Sequence, residues 1–180
     1  MVNDVYLSWL KSDAVNKYLL KPNKEITREK ALQYCKGLVE SDNNLFLAII
    51  SLPDHKHIGN VRLGPIDFDS KVCKYSMMIG DVNYHGKGLG TKIVKACISF
   101  VFNELKMKKF FLDVLSDNIA AIRTYEKNSM VTEGVLQRHV FLNNKYYDLK
   151  VMSIFNPGNW IYYGNETHSF YTRPWREYWF

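Results

Sequence analysis

The stretch Tyr84-His85-Gly86-Lys87-Gly88-Leu89-Gly90-Thr91 constrains this 180-residue chain more than any other. Three glycines alternate with larger residues and lead directly into a run whose apolar positions, Ile93, Ala96, Cys97, Phe100, Val101 and Leu105, recur at helical spacing. A glycine-rich turn that opens a helix presents main-chain N–H groups which the helix leaves unpaired, with the positive end of its dipole behind them. Such a turn is a seat for phosphate. It is not a Walker A loop, because no Gly-Lys-Ser or Gly-Lys-Thr follows a glycine at the required gap. Nor is it the dinucleotide fingerprint, since Gly86, Gly88 and Gly90 are spaced differently from G-x-G-x-x-G. Taken alone, a flexible turn with a helix cap explains the same string.

Composition narrows the ligand. A chain with 47% hydrophobic and 23% charged residues is expected to be an ordinary globular protein of about one domain. The formal charge of +6 favours a polyanionic partner. The basic residues are scattered, so no nucleic-acid stripe is expected and a phosphorylated small molecule is the economical reading. The apolar run at residues 45–52 is too short for a bilayer span and no signal peptide is visible, which makes no membrane partner and a cytoplasmic location the expectations. Cys35, Cys73 and Cys97 are odd in number and lack a C-x-x-C pair. Each stands in an apolar stretch, as an inert buried thiol would. His55 and His57 have metal-pair spacing, but a solvated turn before a strand accounts for them, and no metal is expected.

Periodicity predicts a helix or helical pair over residues 5–17, stopped by Pro22, and a second helix from an N-cap at Thr27 to about Glu40. Strands are expected at 45–51, 58–63, 72–79 and 110–115, a short helix over 118–128, and two strands at 131–142 and 146–155. Asn143-Asn144 between them suits a tight hairpin, since Asn tolerates positive φ. The fold class is α+β, a sandwich of sheet and helices rather than a doubly wound sheet. The chain divides into a domain at 1–156 and an extension at 157–180 in which nine of 24 residues are aromatic. The extension is expected to pack on its own domain or on a subunit partner, as in a homodimer, because its aromatics would otherwise expose a large apolar patch.

Several of these strings, in order, resemble the GNAT superfamily of acetyl-CoA-dependent N-acetyltransferases. Ile79-Gly80-Asp81 followed by residues 84–91 looks like its pyrophosphate motif, Q/R-x-x-G-x-G/A. Asn118-Ile119-Ala120-Ala121-Ile122 with Tyr125-Glu126-Lys127 resembles N-x-x-A-I-x-x-Y-E-K, and 133–148 its closing hairpin. Trp9, residues 15–19 and the run at 57–66 are similar to the ribosomal-protein N-acetyltransferase branch and, within it, to enzymes found among surface-polysaccharide genes. The likeness spans roughly residues 5–155.

The resemblance implies a mixed, mostly antiparallel sheet flanked by helices, with acetyl-CoA as co-substrate. It implies that the amides of Gly86, Lys87, Gly88, Leu89, Gly90 and Thr91 hold the pyrophosphate, with His85 opening the loop and Lys87 or Lys92 adding charge. Backbone near Met78 and Ile79 would polarise the acetyl carbonyl, Asn118 would join the CoA site, and Tyr125 would be the general acid. Lys74 stands where relatives often carry a Glu. It shares a strand face with Val72, Ser76 and Met78, and could bind a substrate anion or reach to water.

A two-residue turn at Asn143-Asn144 would place His139 opposite Asp148, a candidate base oriented by a carboxylate; a surface polar pair is the plainer alternative. The chain departs from the pattern at His85, where Gln or Arg is usual, and at Ser129-Met130, where Gly-Phe is usual. The family's first strand is also missing before the first helix, so the aromatic extension is expected to cover the bare sheet edge or to complete the sheet from a partner chain. The implied activity is transfer of acetyl to a primary amine, with a nucleotide-linked amino sugar as acceptor. A protein N-terminus, a small amine, or an inactive CoA-binding module are the alternatives.

Overall fold

A computed structural model of the protein describes residues 2–20, 25–52 and 54–157. Helix α1 (Asp4–Lys11) starts where the Asn3 side chain accepts from the Tyr6 N–H at 2.9 Å, with Asp4 in the first turn and Lys11 in the last, a polarity that suits the helix dipole. Ser12 is extended and breaks the run, so the predicted pair is realised as α1 and a single-turn α2 (Asp13–Asn16). Thr27 caps α3 (Arg28–Val39) by accepting from the Lys30 N–H at 3.3 Å. Ala31, Cys35 and Leu38 form its buried stripe, while Tyr34 is exposed.

Six strands make one sheet in the order β1-β2-β3-β4-β6-β5. They are β1 (Leu45–Ser51), β2 (Lys56–Asp67), β3 (Val72–Ile79), β4 (Lys109–Leu115), β5 (Val131–Leu142) and β6 (Lys145–Phe155). Every neighbouring pair is antiparallel except β3 and β4. The sheet is therefore the mixed, mostly antiparallel one expected of an α+β chain. β2 runs four residues past its expected end at Leu63, through a bulge between Leu63 and Ile66. Among the described residues no strand precedes α1, and β1 forms one sheet edge. Residues 158–180, on which the extension was read, lie outside the described residues.

Two cores sit on the two faces. Helix α4 (Leu89–Asn103) buries Val94, Cys97, Val101 and Phe102 against Val61, Leu63, Cys73, Tyr75, Phe110 and Leu112. Its stripe begins one position later than the sequence suggested, leaving Phe100 partly exposed. On the opposite face Tyr6, Trp9, Ala31, Cys35 and Leu38 pack with Phe46, and Met78 leans against them. Helix α5 (Ile119–Glu126) follows β4, capped by Asn118, whose side chain accepts from the Ala121 N–H at 3.2 Å.

Candidate active site

The parallel pair β3–β4 is the geometric centre of the site. It is joined only at Val72↔Lys109, Cys73↔Phe110 and Lys74↔Phe111, yet β3 continues to Ile79 and β4 to Leu115. Past Lys74 the two strands part and leave a fork. The Gly80 N–H donates to the Ile58 carbonyl at 2.9 Å, so the alternation of an antiparallel ladder turns the main-chain groups of Met77 and Ile79 away from β2, towards the fork.

The glycine loop stands at the mouth of that fork. Gly88 is the N-cap of α4 with φ +73°, and no side chain caps the helix. Gly86 also has positive φ, +72°, and a Cβ at either position would meet nothing within 4 Å. Among the described residues no acceptor takes the amides of residues 86–91. They are exposed or half-buried donors at the positive end of a fifteen-residue helix. An anion suits that place, so the loop fits a diphosphate.

Three side chains hold the loop in position. The His85 ring donates to the Ile79 carbonyl at 2.7 Å, tying the loop to the end of β3. The Tyr84 hydroxyl lies 3.0 Å from Ser51 Oγ and 3.2 Å from Asp54 Oδ2, reaching the β1–β2 turn. Asp81 accepts from the Asn83 N–H at 3.0 Å and caps the intervening 3-10 turn. Lys87 places its ammonium 5.9 Å from the Tyr84 ring centroid, beside the open amides.

Tyr125 projects from α5 into the same core. It is 8% exposed and meets the Tyr75 ring edge-on at 6.5 Å. Burial pushes its phenol up to about 12, so it keeps its proton throughout the neutral range. Tyr75, the first β3 residue past the last strand pair, is wholly buried with an unbonded hydroxyl and is likewise pushed up by burial. Asn128, which sequence reasoning passed over, donates to the Thr91 carbonyl at 3.2 Å and the Thr124 carbonyl at 2.9 Å, joining the end of α5 to the first turn of α4.

On the sheet face away from α4, Lys74 does not stand free. Its ammonium pairs with Asp113 of β4 and lies 5.8 Å from the Phe111 ring. A second pair, Lys109–Glu133 at 2.7 Å, lies on the other side of Phe111, and Glu133 also accepts from Ser153 Oγ at 2.7 Å. The Lys109 bond is the largest reason the Glu133 carboxyl lies below its usual range.

The expected hairpin pairing needs correction. The register expected from the Asn143-Asn144 turn holds from Leu142↔Lys145 to Val140↔Tyr147 and then slips before Leu136↔Leu149. The Arg138 N–H, at φ +50°, donates to Asp148 Oδ1 at 2.8 Å. A bulge thus takes the carboxylate that was to orient His139, and His139 itself is exposed. Asn118, expected in the CoA site, caps α5 through its side-chain oxygen. His57 is half-buried between Tyr6 and Trp9 and hydrogen-bonds the Gly59 carbonyl at 2.9 Å rather than facing solvent. Among the described residues no group of three or more His, Cys, Asp or Glu could hold a metal. All three cysteines are buried, and burial pushes Cys73 up to about 12 and Cys97 to about 11, which keeps both as thiols.

Comparison with known proteins agrees with this geometry. The family model described as "Acetyltransferase (GNAT) domain" matches residues 2–131. The "Probable N-acetyltransferase YjcK" of Bacillus subtilis is 28% identical over 130 residues, 72% of this chain and 71% of that protein. A spermidine N(1)-acetyltransferase of Vibrio cholerae is 30% identical over 97 residues, covering 54% of this chain and 56% of that one. Among solved structures, a Vibrio cholerae spermidine N-acetyltransferase in complex with CoA and spermine superposes with a TM-score of 0.76 at 20% identity, over 83% of this chain and 86% of that one. A GNAT-family acetyltransferase of Bacillus anthracis reaches 0.72 at 17% identity, over 84% and 87%. No described helix is long and apolar enough to cross a membrane.

Proposed function

The chain belongs to the GNAT acetyltransferase family, acetyl-CoA-dependent acyltransferases that act on amines, and from that premise we propose that its acceptor is a primary amine on an anionic molecule, a nucleotide-linked amino sugar. The observation that carries the transfer reading is the strand fork opening past Lys74↔Phe111 beneath the uncapped start of α4.

In this reading the amides of 86–91 hold the CoA diphosphate, and the thioester lies along β3 in the fork. The Ile79 N–H polarises the acetyl carbonyl as charge grows on its oxygen. Tyr125, still protonated at neutral pH, donates to the sulfur as the C–S bond breaks. The acceptor approaches from the face away from α4, because α4 and α5 occupy the other. Its ammonium proton leaves through water.

The choice of an anionic acceptor rests on charge. The two carboxylates flanking Phe111 on that face, Asp113 and Glu133, each already hold a lysine. A polycation would have to displace a lysine at each carboxylate it used, whereas an anionic acceptor suits the net charge of +6. Acetylation of a small polyamine is the second reading, favoured by the likeness to a spermidine acetyltransferase. Thiol release from acetyl-CoA, measured with UDP-linked amino sugars, spermidine and a short peptide, separates the two. Turnover on the amino sugar alone supports the first reading. Turnover on spermidine alone overturns it, and binding of acetyl-CoA without any turnover favours a CoA-binding module.

A further inference from the structure

The Lys74–Asp113 pair spans the fork rather than lying beside it. Lys74 belongs to the last β3–β4 pair, with Phe111 opposite, and Asp113 is two residues farther along β4. In a parallel register Asp113 is therefore level with Ser76. To reach it, the Lys74 side chain extends forward into the open part of the fork, on the face from which the acceptor must come. Ile79, whose amide faces the fork and is assigned to the acetyl carbonyl, is three residues beyond Ser76, roughly 10 Å of strand. A primary aliphatic amine, 36% exposed, thus stands beside the place assigned to the thioester, with a carboxylate that is 18% exposed as its partner.

We propose that Lys74 is itself an acetyl acceptor, modified by the protein's own bound acetyl-CoA when no other amine is present. The inference rests on the transferase reading above. Asp113 takes one proton from the Lys74 ammonium and passes it to solvent. The freed Nζ lone pair attacks the thioester carbonyl and forms the C–N bond. The C–S bond then breaks with its electron pair on sulfur, and the second nitrogen proton reaches that thiolate by way of the Tyr125 hydroxyl. The products are Nζ-acetyl-Lys74 and CoA thiol. The modification removes the ammonium that neutralises Asp113 and leaves a carboxylate facing the incoming acceptor.

The test is to incubate the full chain with deuterium-labelled acetyl-CoA alone, digest it, and read acetyl at each lysine by mass spectrometry. The label separates added acetyl from any already present, and either kind on Lys74 but absent from Lys36 counts in favour. Lys36 and Lys145 are 74% and 64% exposed, so unassisted acetylation in solution would reach them first. Acetyl on Lys74 at least about tenfold above those two is the expected result, because a held nucleophile gains orders of magnitude in effective concentration. Tyr125→Phe should slow Lys74 acetylation by about a hundredfold and leave Lys36 and Lys145 unchanged, whereas a purely chemical reaction would not respond. If calorimetry detects bound acetyl-CoA but Lys74 is modified no faster than Lys36, the inference is overturned and the transferase reading stands. If no acetyl-CoA binds, both fall.

Discussion

The indole of Trp9 occupies the space in which Gly80 would carry a Cβ. Trp9 is the buried anchor of α1, and Gly80 is the first residue after β3, next to the Ile79 carbonyl that holds His85. One contact thus seats α1 against the strand end that turns main-chain groups into the fork.

Gly80→Ala should push α1 off the end of β3. Overpacking of this kind costs about 1–3 kcal/mol, which thermal unfolding would record. The acceptor KM should rise more than the KM for acetyl-CoA, since Trp9 packs in the core on the face away from α4. Equal rises in both would contradict the arrangement.

Gly88 presents the opposite case, since it has open space but a left-handed backbone. A side chain at φ +73° is strained whatever the room, by roughly 1–2 kcal/mol for an ordinary residue. Relief of that strain would turn the first amides of α4. Gly88→Val should therefore weaken CoA binding in calorimetry while circular dichroism stays native.

Tyr125→Phe should lower kcat by about a hundredfold with the affinity for CoA unchanged. The same variant has a signature in stability. The phenol of the folded protein titrates near 12, above its ordinary value of 10.0. As pH rises past 10 the unfolded chain loses this proton and the folded one keeps it, so stability falls between 10 and about 12. Denaturant midpoints on either side of pH 10 should fall less in Tyr125→Phe than in the parent.

His57 acts on the acid side. Burial between Tyr6 and Trp9 lowers its pKa below the ordinary 6.5. Below pH 6.5 the unfolded chain binds a proton that the folded imidazole still refuses, so stability falls as pH drops from 6.5 towards the depressed value. His57→Gln should flatten that limb of a thermal-melt profile. An unchanged slope would mean the imidazole is free to charge in the folded state.

The parts of this molecule governed by neighbours in the chain could be read from the sequence. Thr27 caps α3 because its oxygen needs only the Lys30 N–H three residues on. Asn143 and Asn144 both take positive φ, 48° and 59°, and make the tight turn their chemistry favours. Strand 72–79 has its expected bounds, and the glycine loop leads into α4 as its spacing demanded. Reading the hairpin farther from its turn failed at His139, because the bulge depends on the Arg138 amide finding a carboxylate ten residues away.

Local periodicity and turn chemistry, which act over a few residues, determined by themselves the helices, the strands and the glycine loop that opens α4. Tertiary structure alone decided where β3 and β4 separate, that Lys74 meets Asp113 across 39 residues of chain, and that Trp9 fills the place beside Gly80. Those contacts arise from packing distant segments at close range, where burial and charge select partners that spacing along the chain does not encode.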